Sequence, residues 1–107
     1  TASDALWAGL PVLTCLGTTF AGRVAASLLH AIGMPELVTP TLEQYEELAI
    51  KLAHDERLLK DIMAKLAQNR SSHPLFDTDR FRRHIEAAYV TMWERYQRGE
   101  RSASFAV

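Results

Sequence analysis

The stretch Gly9-Leu10-Pro11-Val12-Leu13-Thr14-Cys15-Leu16-Gly17 leaves room for one short buried strand. Gly9 stops the Ala-rich, helix-permissive residues 2–8 as a glycine after a helix end does, and Pro11 cannot continue a helix. Val12-Leu13-Thr14-Cys15 is then an apolar run between breakers, and Gly17 turns the chain after it. A second short strand has only one place to go, Met34-Pro35-Glu36-Leu37-Val38, and that stretch reads equally well as a turn. One or two lone strands do not make a stable sheet. The chain is therefore expected to be the tail of an α/β domain, mostly helical as it stands, with the rest of a parallel sheet lying elsewhere. That it opens on Thr1 and not on methionine fits the same expectation of a piece of a longer chain.

The helices are legible from spacing and caps. Residues 19–32 carry Phe20, Val24, Leu28 and Ile32 on one stripe, closed by Gly33. Thr41 and Gln44 have capping-box spacing, with Thr39 and Pro40 as the rival start. The helix they open should bury Tyr45, Leu48, Ala49 and Leu52. Asp55 caps the next, with Leu58, Leu59, Ile62, Met63 and Leu66 as its apolar face, fading near Asn69. Residues 70–76 read as a loop, because Ser71-Ser72-His73-Pro74 gathers turn formers and a breaker. Asp77 or Thr78 starts a long last helix whose stripe, Phe81, Ile85, Ala88, Tyr89, Met92, Trp93 and Tyr96, reads first as core. It ends at Gly99, and residues 100–107 have no periodicity and are expected to be a disordered tail.

Composition removes several classes of function. Twelve basic against thirteen acidic residues, a net charge of −1, leave no electrostatic footprint for nucleic acid. No apolar run approaches the roughly 18 residues of a membrane span. The single Cys15 excludes an internal disulfide and fits a reducing, cytoplasmic compartment. Gly17 and Gly22 have the spacing of a P-loop, but Arg23 and Val24 stand where Lys and Ser or Thr belong, so the stretch reads as a strand-to-helix loop. His30, His54, His73 and His84 share no metal-ligand spacing, and Asp77-x-Asp79 is explained by capping. Arg80, Arg82 and Arg83 read as a solvated face partly offset by Asp77 and Asp79.

The first residues hold two meanings. Thr1 and Asp4 have the spacing of a helix N-cap and its third residue, and capping is the commoner use of such a pair. The same arrangement suits a nucleotide: backbone N–H groups and a Thr hydroxyl at a helix start meet a diphosphate, and a carboxylate one turn in accepts from a ribose diol.

Thr1-x-x-Asp4-x-Leu6-Trp7-x-Gly9-x-Pro11, then Gly17 and Arg23-Val24-Ala25-Ala26-Ser27, resembles the C-terminal end of the O-linked N-acetylglucosamine transferases. The likeness is nearest to their bacterial relatives, which carry tetratricopeptide repeats ahead of the catalytic region. It continues through Tyr45-Glu46-x-Leu48-Ala49, Asn69-Arg70, Pro74-Leu75-Phe76-Asp77-Thr78 and Tyr89-x-x-Met92-Trp93, and stops after Gly99.

The resemblance implies a metal-independent glycosyltransferase of GT-B type, with two Rossmann-like domains across a cleft. Residues 1–99 would be the C-terminal part of the domain that holds the nucleotide sugar. It implies UDP-GlcNAc as donor, Ser and Thr hydroxyls of proteins as acceptors, and Thr1 and Asp4 as residues facing the diphosphate and the ribose. No catalytic residue falls within the chain on this reading, and the isolated chain is expected to be inactive and to self-associate. The last helix is expected to cross onto the other catalytic domain. Two alternatives stay open: a protein O-fucosyltransferase using a GDP-sugar, and a non-catalytic helical module that binds a partner through the stripe running from Phe81 to Tyr96.

Overall fold

Helix α1 (Ala2–Trp7) stops at the predicted glycine. The Gly9 N–H donates to the Leu6 carbonyl at 3.1 Å and the Leu10 N–H to that of Ala5 at 2.9 Å, which closes the helix end. The computed structural model describes all 107 residues and divides into two units, Thr1–Phe76 and Asp77–Val107.

In the first unit the expected strand is shorter than residues 12–15. Strand β1 is Thr14–Cys15 alone, and it is not without a neighbour: it pairs in parallel with β2 (Val38–Thr39), Thr14 opposite Val38 and Cys15 opposite Thr39. The Leu16 N–H extends the ladder to the Thr39 carbonyl at 2.8 Å, and the buried Thr39 hydroxyl donates to the Thr14 carbonyl at 3.0 Å. The ambiguous stretch after Gly33 thus resolves into a single 3-10 turn, Pro35–Leu37, followed by β2. Parallel strands need a crossover between them, and helix α2 (Phe20–Ala31) supplies it.

The crossover helix meets the core with only part of the expected stripe: Ile32 and Leu28 pack there, but Phe20 and Val24 do not. Ala26, Leu29 and, just past its end, Ile32 are buried, whereas Phe20 is 87% exposed. Val24 is exposed as well, and Leu28 lies between the two faces. The helix has apolar residues on two neighbouring faces, and periodicity alone does not say which one meets the sheet.

Helix α3 (Leu42–His54) begins where the capping box places it, the Thr41 hydroxyl accepting the Gln44 N–H at 3.2 Å. It lies on the surface: Leu48, Ala49 and Leu52 are half-buried and Tyr45 is exposed, so its stripe is only partly covered. Helix α4 (Glu56–Ser72) is capped by Asp55, whose carboxylate accepts the Leu58 N–H at 2.9 Å. It runs through the first part of the expected loop. The Ser71 and Ser72 hydroxyls both donate back to the Gln68 carbonyl, at 3.1 and 3.2 Å, and so stay within the last helical turn. A 3-10 turn, Pro74–Phe76, follows. The core of this unit is Leu6, Leu29, Ile32, Met34, Leu37, Ile62 and Leu66, with Val12, Leu52, Leu58 and Phe76 packed against it; Met63 points outward.

The second unit is helix α5 (Thr78–Gln97) and the residues after it. Asp77 caps it, accepting the Arg80 N–H at 2.8 Å. Its aromatic stripe is not core here: Phe81, Tyr89, Trp93 and Tyr96 are all more than half exposed, and Ala88 is the buried residue of the helix. Residues 100–107 form neither helix nor strand; the Arg95 guanidinium lies 4.7 Å from the centre of the Phe105 ring. No helix is long and apolar enough to cross a membrane.

Candidate functional site

The carboxyl end of β1 leads directly through Leu16, Gly17 and Thr18 to Thr19, the cap of α2, so the start of α2 stands at that edge of the sheet. In open α/β sheets this edge is where ligands bind. The two glycines of the loop are needed for its shape. The Gly17 N–H donates to the Gly22 carbonyl at 2.9 Å, and a Cβ on either glycine would lie 3.0 to 3.1 Å from the other's Cα. The Gly22 N–H is taken by the Thr19 hydroxyl at 3.2 Å. Two of the loop's donors are thus used internally, and Arg23 and Val24 stand where a P-loop has its Lys and Ser or Thr.

Beside the loop, α2 and Leu16 line an open cleft of about 670 Å³. Its walls are apolar at Leu16, Phe20, Val24 and Leu28, with Arg23 and His30 as polar members. Phe20, Val24 and Leu28 of the stripe expected to be core thus line this wall.

Thr1 and Asp4 are placed on the first turn of α1. Thr1 occupies the N-cap position, but its hydroxyl makes no capping bond. The Asp4 carboxylate is 88% exposed. Neither side chain is engaged in the core. The arrangement leaves both groups available to solvent or to a ligand.

What holds α1 in place lies at its other end. The Arg70 Nη1 donates to the Trp7 carbonyl at 2.5 Å, and its guanidinium lies 5.5 Å from the centre of the Trp7 indole. Trp7 in turn meets Phe76 edge to face at 5.0 Å. One residue earlier on α4, the Asn69 amide donates to the carbonyls of Ile32 and Gly33 at 2.9 and 3.1 Å. Two consecutive residues of α4 thus collect the C-terminal ends of α1 and α2. The sequence reading assigned neither a role. The signal was present: the buried stripe Ile62, Leu66, Asn69 puts an amide at an apolar position, inside a helix where Asn is a poor former.

Two of the three arginines in the basic run on α5, Arg82 and Arg83, pair within their own helix. Arg82 bonds Asp79 at 2.9 Å and Glu86 at 2.7 Å, and Arg83 also meets Asp79. The hydrogen bonds it donates to Asp79 and Glu86 hold the Arg82 guanidinium above its ordinary pKa. This is a solvated, internally balanced face.

The parallel pair with its helical crossover makes this a mostly helical α/β fragment. The model of glycosyl transferase family 41 matches residues 1–85, and the chain belongs to that family. It is 38% identical, over 92% of its length, to a Caenorhabditis elegans protein named UDP-N-acetylglucosamine--peptide N-acetylglucosaminyltransferase, and covers 9% of that relative. It is 37% identical to the Arabidopsis thaliana protein named probable UDP-N-acetylglucosamine--peptide N-acetylglucosaminyltransferase SEC, with 100% of the chain and 11% of the relative covered. The Solanum lycopersicum protein of the same type named SPINDLY is also 37% identical, over 94% of the chain and 11% of the relative. The chain spans about a tenth of the length of the curated relatives it matches.

Proposed function

We propose that, within a chain of the relatives' length, these residues form part of the donor site of a glycosyltransferase that moves N-acetylglucosamine from UDP-GlcNAc to Ser or Thr hydroxyls of proteins. The observation that carries this is the family match over residues 1–85, joined by relatives whose names state that donor and a peptide acceptor. On this reading Thr1 and the start of α1 face the diphosphate and Asp4 accepts from the ribose hydroxyls. Their exposure and freedom from the core support it. So does the alternation of the α/β unit: α1 leads into β1, and a helix that runs back against the strands starts at their carboxyl edge.

The finer reading is a bacterial, cytoplasmic enzyme of GT-B type with tetratricopeptide repeats ahead of the catalytic region, and it rests on the resemblance of the motifs. In that setting the exposed stripe of α5 is the surface that the remainder of the catalytic region covers. The chemistry needs stabilisation of a departing nucleoside diphosphate, and one six-residue helix start does not supply enough of it. Base-holding, diphosphate-neutralising and acceptor-side groups belong to other parts of such a chain.

Amide hydrogen exchange on the intact protein that contains these residues tests the reading. UDP-GlcNAc should protect the amides of residues 2–5, and GDP-fucose should not. Protection by the GDP-sugar alone would transfer the assignment to the fucosyl class, and protection by neither would remove α1 from any donor site.

A further inference from the structure

We infer that Arg70 is a positioning residue for the donor edge: it sets the direction of α1 from its C-terminal end, and with it the places of Thr1 and Asp4. The inference rests on the donor reading of those two residues.

Helix α1 has six residues and is about 9 Å long. Its only buried residue is Leu6, a single anchor about which so short a rod can still swing. The hold that the structure shows is at the C-terminal end of α1. There the Ala5 and Leu6 carbonyls are already taken by the Leu10 and Gly9 N–H groups. The Trp7 carbonyl is the one that Arg70 takes, at 2.5 Å, while its guanidinium lies over the same residue's ring.

The choice of Arg at this place is informative. Arg70 makes no ion pair with any carboxylate, and its Nε is buried without a hydrogen-bond partner. Leaving a charged donor in that condition costs stability, which an apolar side chain would avoid. What the guanidinium adds is direction: a planar donor that bonds the carbonyl and stacks on the indole holds Trp7 in two ways at once. Phe76 closes the third side of the indole at 5.0 Å. Asn69, the residue before, fixes the end of α2 in the same manner through Ile32 and Gly33. One turn of α4 therefore holds the C-terminal ends of both α1 and α2.

The test compares Arg70→Met, Arg70→Lys, Asp4→Ala and Ile62→Val in the intact protein, reading melting temperature, amide exchange in α1 and the Kd for UDP. Arg70→Met should speed exchange across residues 5–8 and weaken UDP binding about tenfold, the scale expected when binding groups are misplaced by less than 1 Å. Arg70→Lys, which keeps a donor and the charge but not the planar group over the indole, should recover the affinity only in part. Ile62→Val lowers stability from the same helix without touching Trp7 and should leave the Kd unchanged. An Arg70→Met protein that melts lower but binds UDP normally overturns the inference, as does equal loss of affinity in Ile62→Val at matched melting temperature. If Arg70→Met does not fold, Trp7→Leu, which removes the ring under the guanidinium, takes its place with the same expected outcomes. Unchanged affinity in Asp4→Ala instead defeats the donor reading, and the inference with it; a loss there without one at Arg70 defeats the inference alone.

Discussion

The Asn69 amide nitrogen lies 2.9 Å from the Ile32 carbonyl oxygen, a buried bond between residues 37 positions apart. It joins α4 to the end of α2, and the same nitrogen reaches the Gly33 carbonyl at 3.1 Å. Replacing Asn69 with Leu keeps the branching of the side chain and removes the donor, leaving the two carbonyls without it. Asn69→Leu should cost about 1–3 kcal/mol, the penalty for buried polar groups with no partner. Urea denaturation followed by circular dichroism measures it; a loss below about 0.5 kcal/mol would mean that water replaces the amide.

Gly33 and Gly99 form a matched pair. Both follow a helix in the left-handed region, at φ +70° and +71°. A Cβ on Gly33 would collide with the His73 imidazole and lie 2.9 Å from the Asn69 Nδ2, whereas a Cβ on Gly99 meets nothing within 4 Å. Gly99→Ala should therefore cost only the conformational penalty, about 1–2 kcal/mol at the end of α5. Gly33→Ala should cost more, because the collision adds to the same penalty. Thermal melts of the two variants compare them, and equal losses would show that His73 swings away freely.

Asp4→Ala separates the two uses of a helix-start carboxylate. Its exposure limits what it adds to folding, so the melting temperature should hardly move. In the intact protein UDP affinity should fall by about 1.5–3 kcal/mol, the range for a hydrogen bond to a charged group. Calorimetric titration reads this, and a large stability loss with normal affinity would leave Asp4 as a capping residue.

The Glu43 carboxyl, in the first turn of α3, titrates below its ordinary value because it accepts hydrogen bonds from its own backbone and from the Thr41 side chain. The sign follows from linkage. A carboxyl with a depressed folded-state pKa contributes stability above its unfolded value, and that contribution is lost as pH falls through the folded one. NMR titration should place Glu43 below an unstructured glutamate, and Thr41→Val should move it back up. No change in that variant would assign the whole effect to the backbone.

Taken alone, the 107-residue chain should associate and should turn over no sugar nucleotide. Phe20, Phe81, Trp93 and Tyr96 are each at least 60% exposed, and the β1–β2 pair is only two residues long on each strand. Apolar faces and sheet edges of this kind seek partners. Light scattering across a concentration series should show mass rising with concentration. A monodisperse monomer at about 100 μM, where contacts of micromolar strength form, would count against this expectation, and measurable transfer by the pure chain would count against the donor-site reading.

Local chemistry decided where elements begin and end. Thr41, Asp55 and Asp77 each cap the helix that their type and position announced, and Gly9, Gly33 and Gly99 each close one. These are contests between neighbours a few residues apart, so the sequence by itself resolves them. Thr1 and Asp4 were legible as a helix start, because their spacing is local, and Arg23 and Val24 argued against a P-loop from identity alone. The faces of the helices were not. Of the stripe Phe20, Val24, Leu28 and Ile32 only the last two meet the core, beside Ala26 and Leu29, and only the placement of the neighbouring elements selected them. The stripe of α5 stayed exposed for the same reason, since periodicity records that a helix has an apolar side but not what covers it. Asn69 and Arg70 were hidden because their partners, Ile32 and Trp7, lie 37 and 63 residues away. A carbonyl at a helix end is identical in every residue type, so nothing in the sequence marks it as the acceptor; only the tertiary fold brings the two ends to the same turn of α4.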